Sequence, residues 1–312
     1  MLLFRCVKRR RQRMRVSRFL LPFMSPLTTD IALRIPYQDC DMHQTVRAAA
    51  YLRYMQEAAF AGSAAAGYTN ERYQAMQRVW LIRENHLEFL APLHYGAGLC
   101  LKTWVADFRR VRSQRVYEMW THGAGEEHLA ARGLTDWVFV DTHTGQPAPV
   151  PPEMIASFLP YTQTAGGPER IRFPAQKPPA AGIHISQRRV PWRELDSVGH
   201  VNNAVYGDYI EDALYEYLAA LGWLPARLTE AGLAFAPQSL HIEYRQPAWF
   251  GDVLTVTTWL DQGHAAGFVC HSVVQRAADH ELLAQAFAAW HSVDAATRAP
   301  CPLPADLLSI LP

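Results

Sequence analysis

The chain is poor in cysteine, with five in 312 residues. Cys6, Cys40, Cys100, Cys270 and Cys301 are odd in number, widely spaced and never arranged as Cys-x-x-Cys. That pattern excludes a disulfide framework and a zinc ribbon, and it predicts reduced thiols in a cytoplasmic protein. No paired histidines offer metal ligands, so no metal is expected. A run of about 18 consecutive apolar residues, which a membrane-spanning helix needs, is missing too. So is a glycine-rich phosphate-binding loop, and no organic cofactor is expected.

Positive charge is scarce outside one segment. The formal net charge is +1, yet eight basic side chains (Arg5, Lys8, Arg9, Arg10, Arg11, Arg13, Arg15, Arg18) crowd into residues 1–24, which hold no acid. The rest of the chain sets 22 basic against 29 acidic side chains, a formal −7. An acidic body is a poor partner for nucleic acid, whose phosphates need basic side chains on the folded surface. The leader matches the targeting classes only in part, being Arg-rich and acid-poor as a transit peptide is. Its apolar run, Phe19–Met24, is short and broken by Pro22, and it has too little serine for a transit peptide. Residues 1–27 are read as a basic, unstructured leader, with Met24 a candidate initiator.

What the chain does contain is an internal repeat, and at this length about two domains are expected. A shift of 155 positions lays residues 34–58 on 189–213 without a gap. Arg34 meets Arg189, Pro36 meets Pro191, Asp41 meets Asp196, Tyr51 meets Tyr206 and Tyr54 meets Tyr209. The register persists at His86-Leu87-Glu88-Phe89 on His241-Ile242-Glu243-Tyr244, and Trp104 on Trp259. Near the ends the shift becomes 153, with Trp137 on Trp290 and Asp141 on Asp294. The two units are assigned to 28–145 and 183–312. Between them, 146–182 is rich in proline and glycine and reads as a surface linker.

Each unit begins with a short strand, about 31–37 and 183–192. A loop and a helix follow. Val205, Tyr209, Ala213, Tyr217, Ala220 and Leu221 recur at a spacing near 3.6, which predicts a helix over 204–221 stopped by Gly222. Runs such as Leu254–Leu260, rich in Val, Thr and Trp, predict antiparallel strands. One helix with a sheet wrapped around it is an α+β pattern.

Candidate chemistry sits in the loop Asp196-Ser197-Val198-Gly199-His200-Val201-Asn202-Asn203. Glycine lets the backbone turn sharply there, and Asn202 or Asn203 can cap the helix that follows. Free N–H groups and the helix dipole at that end suit a developing oxyanion. The first repeat keeps Asp39 and Asp41 but has Gln44, Thr45, Arg47 and Ala48 where the second has Gly199, His200, Asn202 and Asn203. His43 is one position off the alignment, and Arg47 is placed to pair with Asp41. The first helix is loaded with alanine, which implies close helix-to-sheet packing or a channel for an acyl chain.

The motif D-x-x-G-H-V-N-N with an acidic residue, Glu211, on the following helix resembles the hotdog thioesterase superfamily, in particular its 4-hydroxybenzoyl-CoA thioesterase-like branch. The duplicated arrangement resembles the acyl-ACP thioesterases. The resemblance covers roughly 31–295 and implies a tandem double hotdog that hydrolyses acyl-CoA or acyl-carrier-protein thioesters. It implies Asp196 as base or nucleophile and His200 and Asn203 as further catalytic residues. Gly199, Val201, Asn202, Tyr206 and Glu211 would support them or bind substrate, and Asp41 would be a degenerate counterpart. This chain departs from the plant enzymes, which have Asn at Val198 and a Glu-Cys pair at Pro247-Ala248. A hotdog hydratase would need Asp and His five apart around Asn-Pro, whereas Asp196 and His200 are four apart. A non-catalytic acyl-thioester-binding protein is the other alternative, and monomer and homodimer both stay open. Because the leader lies outside the repeat, a chain starting at Met24 should fold and keep thioester hydrolysis. An insoluble or inactive truncation contradicts this.

Overall fold

Alternation along the strands and apolar periodicity along two helices build the same unit twice. The computed structural model describes residues 28–123, 126–161, 173–174, 177–264 and 266–311; the leader falls outside them. In the first unit β1 (Thr29–Arg34) leads into α1 (Ala48–Ala65) and the short α2 (Asn70–Ala75). Strands β2 (Arg78–Phe89), β3 (Gly98–Phe108), β4 (Arg112–Gly123) and β5 (Glu126–Asp141) follow, and α3 (Pro152–Phe158) closes the unit. The second unit repeats this as β6 (Ile183–Arg189), α4 (Val205–Ala220), α5 (Pro225–Glu230), β7 (Leu233–Tyr244), β8 (Val253–His264), β9 (Gly267–Arg276), β10 (Leu282–Asp294) and α6 (Ala305–Ile310). Each long helix is buried along most of its length by its own sheet, with Tyr51, Leu52 and Met55 of α1 and Ile210, Leu214 and Leu218 of α4 nearly inaccessible. The expected α+β double hotdog is the observed architecture.

Ten strands form one antiparallel sheet in the order β1-β3-β4-β5-β2-β7-β10-β9-β8-β6. The halves meet edge to edge where β2 pairs with β7, from Glu84 opposite Glu243 to Glu88 opposite Ser239. His86 faces His241 there, with ring centroids 5.2 Å apart. These two residues are also equivalent in the repeat. An antiparallel pair of equivalent strands centred on equivalent residues generates a local twofold axis. Each unit thereby covers the other's open strand edge.

The axis also brings α1 and α4 together. A Cβ on Gly207 would come within 3.0 Å of the Ala49 Cα and 3.1 Å of its Cβ, so only glycine permits this approach. Arg53 of α1 reaches Asp208 of α4 at 3.1 Å and Asp39 of its own unit at 3.4 Å.

One expectation needs correcting. The stretch 146–182 is not solely a linker, because α3 lies within it. Met154 and Phe158 bury against Tyr68, Val105 and Phe139, and proline at the first helical turn suits a helix start. Its counterpart α6 buries Leu307 in the same way. The proline content masked a short amphipathic helix that needs its own unit to exist. Gly207→Val should lower the unfolding free energy by about 1–3 kcal/mol through overpacking. An unchanged denaturant midpoint would show that the helices do not meet there.

Candidate active site

The loop before α4 is tied down almost wholly by main chain. The Asp196 N–H donates to the His200 carbonyl at 2.9 Å, and the Gly199 N–H to the Asp196 carbonyl at 3.0 Å. Gly199 sits at φ 90°, a conformation that a side chain resists. The Val201 N–H bonds the Ala248 carbonyl and the Asn202 N–H bonds the Glu194 carbonyl, both at 2.9 Å. Ala248 stands where the plant enzymes have cysteine, but its carbonyl keeps the loop anchored. Asn202 Oδ1 accepts the Ala204 N–H at 2.9 Å in a turn just ahead of the helix, whereas the cap position itself is Ala204 with no side-chain cap bond, so neither asparagine caps α4 as expected. Asn203 caps nothing. Among the described residues its N–H and its side-chain amide have no partner, while its carbonyl accepts from Tyr244 Oη at 3.0 Å.

The two loop aspartates differ in what their oxygens do. Asp196 Oδ1 accepts the Val198 N–H at 2.9 Å, whereas Oδ2 accepts no hydrogen bond among the described residues and lies 3.7 Å from His200 Nδ1. In the first repeat Asp41 Oδ1 takes the N–H groups of His43 and Thr45, both at 2.9 Å, and Oδ2 takes the Thr45 hydroxyl at 2.8 Å. Both oxygens of Asp41 are committed to holding its loop. The expected ion pair with Arg47 is absent: Arg47 Nη2 donates to the Gln38 carbonyl at 2.7 Å, and Thr45 does what Arg47 was expected to do. Gln44, at the Gly199 position, keeps the left-handed turn at φ 61°. The turn of the loop survives there with Thr45 in place of His200.

The first unit reaches across the seam to position Asn203. Thr135 Oγ1 donates to Asn85 Oδ1 at 2.7 Å, Asn85 Nδ2 to Tyr244 Oη at 3.3 Å, and Tyr244 in turn to Asn203. Sequence reasoning missed this chain. Its only signal was polar Asn85 at the repeat position of Leu240. Tyr206 is buried edge-on against Tyr209 and Tyr244, and burial raises its phenol above the ordinary range. Tyr209 donates to Glu194, and in the first unit Tyr54 donates to Asp39 at 2.8 Å, the same contact at the same shift.

Three hollows lie along the inter-unit boundary. A cavity of about 540 Å³ lies mainly in the first unit, lined by Ala59, Phe60 and Ser63 of α1, Trp80 and Phe158, and it reaches Ser197 and Val198 of the second unit's loop. A groove of about 230 Å³ runs past His200, Val201, Asn203 and Tyr206, with Arg83 and Arg245 on its wall. The loop separates the two. In the alanine-rich α1, Ala59 lines the cavity, and Ala49 allows a close contact with the other long helix that the sequence reading did not anticipate.

The third hollow, about 220 Å³, repeats the large cavity about the local twofold, with Asp41, Met42 and His43 facing α4. It is smaller because Leu214 and Leu218 stand at the repeat positions of Ala59 and Ser63. Glu211 lies here. The expectation that it backs Asp196 is not met, because the helix of each unit faces the loop of the other. Burial, opposed by Arg47 and reinforced by Asp208 and Asp41, pushes the Glu211 carboxyl up to about 7.

The chain belongs to the thioesterase-like superfamily, whose model matches residues 35–158 and again 190–311. It is 28% identical over 125 residues to the long-chain acyl-CoA thioesterase FadM of Escherichia coli (strain K12), a match covering 39% of this chain and 92% of that protein. The 12:0-ACP thioesterase of Umbellularia californica superposes with a TM-score of 0.70 at 18% identity, over 84% of this chain and 93% of its own. A Lactobacillus plantarum structure assigned as an oleoyl thioesterase gives 0.72 at 17% identity, over 86% and 97%. Both share the fold of this chain.

A carboxyl raised from 4.5 to about 7 supports the folded state fully below pH about 4.5 and loses that support as pH rises through 7. At about 1.36 kcal/mol per unit, Glu211→Gln should gain up to about 3 kcal/mol over wild type between pH 4.5 and 8. Denaturant titrations at the two pH values check this; a pH-independent difference contradicts it.

Proposed function

We propose that the protein hydrolyses acyl thioesters of CoA or an acyl carrier protein at a single site formed by the second unit's loop. The observation that carries this reading is the free Asp196 Oδ2, beside His200, where Asp41 has both oxygens bonded. Asp196 acts as the base that takes a proton from water or as the nucleophile itself. The unpartnered Asn203 N–H at the start of α4 supplies an oxyanion donor of the kind worth about 2.7–4 kcal/mol. His200, 3.7 Å from Asp196, orients water or donates to the leaving thiolate. In this arrangement the acyl tail enters the 540 Å³ cavity of the first unit. The thiol-bearing arm lies in the groove beside His200, under Arg83 and Arg245.

The family match and the likeness to FadM support thioester chemistry. A positioned base contributes about 10²–10⁴-fold, so Asp196→Asn should lower kcat for acyl-CoA hydrolysis by at least about a hundredfold. Asp41→Asn should change kcat by a small factor and reduce stability through its loop. Thiol release followed colorimetrically, after circular dichroism confirms folding, decides the matter. Loss of turnover in Asp41→Asn with Asp196→Asn intact would assign the site to the wrong unit.

A further inference from the structure

The large cavity contains a charge that an ordinary fatty acyl chain would not match. Arg115, on β4, lines it and is only 5% exposed. Among the described residues no carboxylate pairs with it. Its hydrogen bond is a long one, Nη1 to Thr103 Oγ1 at 3.4 Å, and its guanidinium lies 5.9 Å from the Phe158 ring centroid. The other charged groups on the cavity wall are placed differently. Glu71 is exposed, and Arg78 is held by Asp141 at 2.7 Å. Burial, with only Tyr117 and Tyr73 nearby to offset it, holds the Arg115 guanidinium below its ordinary range.

The position is not one where the fold demands a cation. At the repeat shift Arg115 corresponds to Cys270, a fully buried thiol within the apolar core of the second unit. On α1, Gly62 leaves the space that the guanidinium fills, since a Cβ there would lie 2.5 Å from Arg115 Nη1. An unpaired buried cation is costly unless something neutralises it, and a guanidinium with donors to spare matches a carboxylate. The same cavity extends to Ser197 and Val198, beside Asp196.

We infer that Arg115 selects acyl groups ending in a carboxylate, so that the preferred substrates are monothioesters of dicarboxylic acids. The thioester end lies at the loop and the ω-carboxylate meets Arg115. This inference rests on the hydrolase reading above and narrows it to one substrate class.

The test compares octanoyl-CoA with suberoyl-CoA, equal in chain length and differing in the terminal carboxylate, using the full-length protein. Wild type should show a kcat/KM at least tenfold higher for suberoyl-CoA, and Arg115→Met should reverse the order, with KM for suberoyl-CoA rising most. An equal or higher kcat/KM for octanoyl-CoA in wild type overturns the inference and leaves the hydrolase reading intact. Hydrolysis of neither thioester overturns both. Should the Met variant fail to fold, inhibition of the wild-type enzyme decides: suberate should inhibit at least tenfold more strongly than octanoate, and equal inhibition refutes the inference.

Discussion

The pairing of β2 with β7 is the constraint on which the rest depends. Two copies of one strand, antiparallel and centred on His86 opposite His241, fix a local twofold axis, and a one-residue slip would turn every side chain to the opposite face. That axis places the loop of each unit against the long helix of the other. It also brings α1 and α4 so close that Gly207 rests on Ala49. The cavity and the groove are accordingly lined from both units, the loop coming from one copy and most of the cavity wall from the other.

Symmetry of that kind yields two equivalent sites, and this chain has made them unequal through few substitutions. Thr45 in place of His200 closes off Asp41, whereas Asp196 keeps one oxygen free. Ala59 and Ser63 leave room where Leu214 and Leu218 fill it. The main-chain scaffold is largely kept through these differences: most backbone bonds of one loop recur in the other, although the Tyr95 N–H bonds the Gln44 carbonyl only in the first unit, and the left-handed residue is kept in both. One copy of the long helix lines the larger cavity, and one copy of the loop has both oxygens of its aspartate bonded.

Much of this was legible in the sequence, because a repeat that keeps its register over long stretches reports equivalent strands and helices directly. The helix expected over 204–221 is α4, Val205–Ala220, since apolar spacing and Gly222 are local signals. Asp196, His200 and Asn203 were singled out by the resemblance of their motif, and they fall together on the loop before α4. What could not be read depends on which copy faces which. Glu211 follows the loop motif in sequence, yet it faces Asp41. Asn85 and Thr135 lie far from the loop in sequence and reach Asn203 only through Tyr244 across the seam. Arg115 lay unremarked in a strand, because only the folded cavity shows it to be buried without a counter-charge.

The central claim is that the second unit's loop works on an acyl group lodged in the first unit. A crystal structure with a non-hydrolysable acyl ketone analogue of a CoA thioester tests it most directly. The account predicts the ketone oxygen on the Asn203 N–H, Asp196 Oδ2 facing the carbonyl carbon, and the tail running past Ala59 and Ser63. A tail lying between α4 and the second unit's own sheet, or a ketone held at the Asp41 loop, would contradict it.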